Sequence, residues 1–228
     1  MLEETERDPT IDAATARAGV AGLLLCGGES RRMGRDKARL AFEGRPLAHW
    51  PLASLREVAD EVLLASGKGP RYGDFGHREV FDPVPDGGPL AGLAAGLGAT
   101  TREWLVVLAC DMPRVEPDLL RALVARARET GADVCLAKGE NGAEPLCGVY
   151  RRTCLRPVEA ALAAGERRMV AFWHYPRADG GRVHVASATA SELSAASNPA
   201  VNVNTPEDLE RVGAAARAPV SGCRGAVE

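Results

Sequence analysis

Apolar positions along the chain fall into short continuous runs separated by amphipathic or glycine-rich stretches. VAGLLL (20–25) is unbroken by polar groups, the pattern of a strand buried on both faces of a parallel sheet. EVLLAS (61–66), REVFD (78–82), WLVVLAC (104–110), DVCLAK (133–138), PLCGVY (145–150) and RVHVAS (182–187) read as further strands. Between them, residues 46–58 carry apolar groups at roughly helical spacing, with Pro51 in the first turn. PLAGLAAGLGAT (89–100) predicts a small-residue helix able to pack closely on a sheet, and helices are also predicted over 117–130 and about 153–164. In NVNTPEDLERVGAAAR (202–217), Thr205 suits a cap, Pro206 the first helical position, and Asp208 follows three residues after the cap.

Strands alternating with helices predict an α/β fold in three layers, a mostly parallel sheet with helices on both faces. Ligands of such sheets bind beyond the carboxyl ends of the strands. Three polar clusters leave predicted strand ends, at 26–37, 82–88 and 111, so they are expected on one edge. The expected organisation is a flexible acidic extension (1–18), one domain (19–217) and a loose tail (218–228).

Composition narrows the function. With 46% hydrophobic residues, the 228-residue chain is ordinary for a globular protein, and no run approaches the roughly 20 apolar residues of a membrane span. A net charge of −3 and 4% aromatic residues argue against a nucleic-acid partner. Six dispersed cysteines without a C-x-x-C pair read as buried thiols of a cytosolic protein. The start lacks the basic and apolar regions of a secretory signal, so the expected location is cytoplasmic.

The sharpest chemistry lies after the first strand. Gly27 and Gly28 would let backbone N–H groups approach a ligand, and Arg31, Arg32, Arg35 and Lys37 supply cations for phosphate oxygens. The spacing is neither a P-loop nor a dinucleotide fingerprint. Asp111 ends the most hydrophobic strand and serves either as the neighbour of a helix start or as a metal ligand. A phosphate-binding loop alongside favours the metal, because Mg²⁺ is usually held by one or two carboxylates plus substrate phosphates. Asp82, before Pro83, and Asn202 and Asn204, before a helix, have turn or cap duty as their ordinary reading. His49, His77, His174 and His184 show no paired spacing and read as structural or exposed.

LLLCGGESRRMGRDKARLAFEGRPL (23–47) resembles the N-terminal motif of the MobA-like nucleotidyltransferases, L-A-G-G-x-S-x-R-M-G-x-D-K. GPLAGLAAGL (88–97), ACDMP (109–113), EPLCGVYRR (144–152) and NVNTPEDL (202–209) resemble the same family in the same order, nearest to its molybdenum cofactor guanylyltransferase group. The resemblance implies a Rossmann-like domain that transfers GMP from GTP to molybdopterin bearing molybdenum and releases pyrophosphate. It implies that Leu25, Cys26, Gly27, Lys37, Asp82 and Asp111 bind GTP, that Asp111 holds Mg²⁺, and that Lys37, Asp111 and Arg32 are catalytic. Asn202 and Asn204 fall on the pterin side or near the metal, and a molybdoenzyme or chaperone would receive the product. Cys26 replaces the family's usual alanine, and an asparagine often found at the end of the second strand is here Ala65 or Ser66. Two other functions stay open on the residues: transfer of a cytidylyl group or transfer onto another small phosphate, and a nucleotide-binding regulator without catalysis.

Overall fold

The computed structural model describes residues 17–26, 36–139, 141–193 and Asp208. Outside them lie Gly27, Gly28, Arg31, Arg32, Gly34 and Arg35 of the first loop, Asn202, Asn204, Thr205 and Pro206 of the late motif, residues 1–16 of the expected extension and the expected tail at 218–228. A seven-stranded sheet runs in the order β5 (Arg78–Val80), β4 (Glu61–Ala65), β1 (Val20–Leu25), β6 (Trp104–Ala109), β8 (Gly142–Arg151), β7 (Val134–Gly139), β9 (Val185–Thr189). Every neighbouring pair is parallel except those of β8, which opposes both β6 and β7. β7 and β8 follow each other with only 140 and 141 between them, too short for a parallel crossover. A two-stranded hairpin, β2 (Ala41–Phe42) with β3 (Arg45–Pro46), lies apart from the sheet and precedes the helix, which begins at His49, three residues after the expected start.

β1 and β6 sit at the centre and are buried at every position, as their uninterrupted apolar runs require. Alternate side chains of the two strands serve opposite layers. Val20, Leu24, Val106 and Leu108 pack against α1 (His49–Val58) and α3 (Pro117–Thr130) through Leu52, Leu55, Leu119 and Leu123. Ala21, Leu23, Leu25, Leu105 and Val107 pack against α2 (Gly88–Ala99) and α4 (Leu155–Ala163) through Leu90, Leu93, Leu97, Val158 and Leu162. At about 1.5–3 kcal/mol for each large apolar side chain withdrawn from water, these two clusters are the main source of stability.

The helices begin and end where local chemistry directs. Pro51 is the third residue of α1, where its missing N–H would have had no helical partner. Pro117 opens α3, Asp118 stands at its positive end, and Gly131 closes it with φ +63°. α2 approaches β1 closely because Gly92 and Gly96 face the sheet. A Cβ at these positions would lie 2.7 Å from Leu25 Cδ2 and 2.6 Å from Leu23 Cδ2.

Cys26, Cys110, Cys135, Cys147 and Cys154 are free and buried. Among the described residues no helix is long and apolar enough to cross a membrane.

Candidate active site

β5, β4, β1 and β6 are parallel, so their carboxyl ends form one continuous edge, and Cys26, Asp82 and Asp111, one from each polar cluster, follow strands that end there. The backbone continues to pair beyond the last strand residues. Cys26 N–H donates to Ala65 O (3.0 Å), Cys110 N–H to Leu25 O (3.1 Å), Ser66 N–H to Val80 O (3.1 Å) and Asp82 N–H to Gly67 O (2.9 Å). The residues that leave the sheet therefore start from fixed positions.

Lys37 and Asp111, separated by 74 positions, form an ion pair in which Lys37 Nζ donates to Asp111 Oδ2 at 2.6 Å. Their side chains are 19% and 17% exposed. Lys37 opens a 3-10 turn (Lys37–Arg39) capped by Asp36, whose Oδ1 accepts from Ala38 N–H (3.1 Å) and from Tyr72 OH (3.0 Å). Asp111 Oδ1 is buried and has no hydrogen-bond partner among the described residues. A buried carboxylate oxygen without a donor is costly unless something else fills the position. Among the described residues no group of three His, Cys, Asp or Glu side chains could hold a metal. One open carboxylate oxygen beside a lysine suits a hard cation that takes its remaining ligands from substrate phosphates and water, and Mg²⁺ fits that donor set.

Towards β4 and β5 the edge changes character. The loop between these strands turns back over Cys26: Tyr72 OH donates to Cys26 O (3.1 Å), and Arg71 Nη2 reaches the same oxygen at 3.5 Å. Glu79 secures the loop by accepting Arg71 N–H (2.8 Å) and Tyr72 N–H (3.1 Å). Burial opposes ionisation of Glu79, yet these N–H groups hold its carboxyl below the usual glutamate value. Arg39 stacks on Tyr72 and Phe75 and pairs with Asp74. Burial raises the Tyr72 phenol far above its ordinary range, so it remains a donor. The Cys26 thiol is also raised, by a hydrogen bond with the Cys110 thiol and by burial, and is therefore no nucleophile. At the end of β5, burial raises the Asp82 carboxyl above its ordinary 3.8 while Arg71 opposes the rise.

The two ends of this edge are distinct. Asp111 and Asp82 follow strands three spacings apart, roughly 14 Å at the usual inter-strand distance, so they cannot share one ion. That span suits one elongated ligand with its charged end at Asp111.

Of the residues expected from the sequence, Lys37 and Asp111 are in direct contact, and Cys26 and Asp82 stand on the same edge at the ends of β1 and β5, with β4 between them. Leu25 is buried at the end of β1, where its carbonyl accepts the Cys110 N–H. Gly27, Arg32, Asn202 and Asn204 lie outside the described residues. Sequence reasoning passed over Asp36, Arg71, Tyr72 and Glu79. Asp36 stood unremarked inside MGRDK, whereas the role of GPRYGDFG (69–76) arises from contacts with residues some 36–46 positions away.

The profile of the MobA-like NTP transferase domain matches residues 22–182. The molybdenum cofactor guanylyltransferase of Shewanella halifaxensis is 30% identical over 201 residues, which cover 87% of this chain and 96% of that one. The crystal structure of molybdopterin-guanine dinucleotide biosynthesis protein A from Archaeoglobus fulgidus has the same fold, with a TM-score of 0.70 at 22% identity over 86% of this chain and 98% of its own. So does the 2-C-methyl-D-erythritol 4-phosphate cytidylyltransferase of Thermus thermophilus, with a TM-score of 0.59 at 20% identity over 86% and 98%. With its motifs in order and its lysine–aspartate pair at the shared edge of the sheet, the chain belongs to the MobA-like NTP transferase family.

Proposed function

We propose that the protein transfers GMP from GTP to molybdopterin bearing molybdenum, in the synthesis of the guanine dinucleotide form of the molybdenum cofactor. The observation that carries the reading is the Lys37–Asp111 pair with its unpartnered Oδ1, at one end of an edge long enough for a nucleotide. The names of the relatives supply the substrates.

A terminal phosphate oxygen of the pterin attacks the α-phosphorus of GTP, the bond from that phosphorus to the bridging oxygen breaks, and pyrophosphate leaves. The attacking phosphate is already ionised near pH 7, so no protein base is required. Positioning and charge neutralisation dominate such a transfer. Asp111 would hold Mg²⁺ through Oδ1, and the ion, when bound, neutralises charge on the leaving pyrophosphate. Lys37, already oriented by Asp111 and the Asp36 cap, supplies a cation to the phosphates, and Arg32 would add a second. The backbone at Leu25, Cys26 and Gly27 would line the nucleotide, with Asp82 at its other end; Asn202 and Asn204 would face the pterin or the metal. The product would pass to a molybdoenzyme or its chaperone, in a cytoplasm that keeps the buried thiols reduced.

Pyrophosphate release from GTP, CTP and ATP, each with and without Mg²⁺ and molybdate-loaded molybdopterin, tests the reading. The expected result is release with GTP that requires both additions. Preference for CTP would assign the sister cytidylyl activity, and binding without release a regulator.

A further inference from the structure

We propose that Arg71 reads the base of the nucleotide, accepting guanine by bidentate donation to O6 and N7 and rejecting bases with an amino group there. The proposal rests on the GTP reading above and concerns which residue makes that choice.

Position comes first. The phosphate end of the edge is fixed at Lys37 and Asp111 beside β6, whereas Arg71 belongs to the loop after β4, across β1 from that pair. A nucleotide laid along the strand ends with its phosphates at Asp111 brings its base, not its phosphates, to Arg71. The guanidinium is at the edge itself, since Nη2 reaches the carbonyl of Cys26.

Arg71 is also held ready. Its N–H donates to Glu79 Oε2 at 2.8 Å, its carbonyl accepts from Arg39 Nη2 at 2.7 Å, and its guanidinium lies 5.1 Å from the centre of the Tyr72 ring. Tyr72 is in turn fixed to Cys26 O and Asp36 Oδ1. An exposed arginine ordinarily loses much side-chain freedom on binding; here the backbone and one face of the guanidinium are already constrained. Of its five N–H donors, only Nη2 has a partner among the described residues.

The chemistry then selects a purine edge. Guanine presents two acceptors, O6 and N7, spaced for an arginine fork, whereas adenine places an amino donor at the first of these and cytosine carries one at N4. A donor facing a donor is a penalty as well as a lost bond. On the neighbouring strand end Asp82 supplies an acceptor for the N1–H and amino donors on the other part of the guanine edge. Opposite charges on adjacent strand ends thus complement the opposite halves of one base.

The test compares wild type, Arg71→Ala and Arg71→Lys for KM and kcat with GTP, 7-deaza-GTP, ATP and CTP in the pyrophosphate-release assay, with thermal melting as a control for folding. Arg71→Ala should raise the KM for GTP by about 10- to 100-fold, the range for loss of a bidentate base contact, and lower the GTP-to-ATP preference by a similar factor. Its kcat should stay within about threefold, because the phosphate end is untouched. Arg71→Lys keeps the charge but not the fork and should fail in the same way. Wild type should bind 7-deaza-GTP, which lacks the N7 acceptor, about 10-fold less well than GTP, while Arg71→Ala should treat the two alike. An unchanged GTP-to-ATP preference in Arg71→Ala, or full recovery in Arg71→Lys, overturns the assignment while leaving the guanylyl reading intact. A wild type that prefers CTP overturns both.

Discussion

Two aspartates stand on opposite edges of the same sheet and are treated in opposite ways. Asp133, just before β7, is 0% exposed, and both its oxygens are occupied. Arg177 Nη1 donates to each at 2.9 Å, His184 N–H donates to Oδ2 at 2.9 Å, and Thr153 OH donates to Oδ1 at 3.3 Å. Through these bonds one carboxylate ties β7 to the 3-10 turn after β8, to the 177–181 turn and to the residue before β9. Asp111, just after β6, has one oxygen on Lys37 and one buried and open. A buried carboxylate that is fully paired holds structure together; a half-paired one still has an oxygen to satisfy.

Substitution should separate the two roles. Asp133→Ala removes the shared acceptor of Arg177 Nη1, Thr153 OH and His184 N–H, while Arg177 keeps Asp179, and should cost about 3 kcal/mol of stability in urea unfolding, while the remaining folded protein turns over normally. Asp111→Asn should show the reverse pattern, a loss of nucleotidyl transfer of about 100-fold or more with little change in melting temperature. Normal turnover by that variant with GTP and Mg²⁺ would sink the metal role. A smaller effect is expected at Gly92, beneath the active edge, where an alanine Cβ meets Leu25 Cδ2 at 2.7 Å and Ala65 Cβ at 3.3 Å. Overpacking of about 1–3 kcal/mol, offset by better helix propensity, leaves a net loss of about 1 kcal/mol in the same unfolding assay.

The smallest effect concerns Asp82, half-buried just beyond β5. Burial raises its carboxyl in the folded state, so the folded protein holds that proton to higher pH than the unfolded chain does. Stability is therefore lost as pH rises from the unfolded value through the raised one, and the penalty is complete at neutral pH. Asp82→Asn should melt slightly higher than wild type at pH 7 and lose that advantage below the ordinary value of 3.8, while its affinity for GTP falls. An equal advantage at pH 3 and pH 7 would show that ionisation of Asp82 is not the cause.

Much of the scaffold was legible in the pattern. The runs at 20–25 and 104–109 became the central strands, and 117–130 became a helix with the expected bounds. Lys37 and Asp111 were legible as chemistry because cations after glycines and a carboxylate at a strand end are local signals. The hairpin at 41–46 was hidden because each of its strands is only two residues long and follows directly on the Gly- and Arg-rich stretch after the first strand. The Arg71 loop was hidden for a different reason: its residues acquire meaning from Cys26, Asp36 and Glu79, which only the folded sheet brings near. Asp133 was read as the start of a strand, because its partner Arg177 lies 44 positions later in an irregular stretch.

The reversed strand β8 has a consequence for how such proteins diversify. Since it opposes β6, its first residues, Gly142 to Leu146, return to the edge that carries Asp111, and its last, Arg151, leaves from the edge that carries Asp133. The edge beyond β6 is consequently furnished by a hairpin tip, whereas loops that connect parallel strands and helices furnish the edge on the β1, β4 and β5 side. A hairpin tip tolerates changes of length without disturbing the strands beneath it. Insertions or deletions at this tip can therefore reshape the surface beside Asp111 while β6 and β1 beneath it stay as they are.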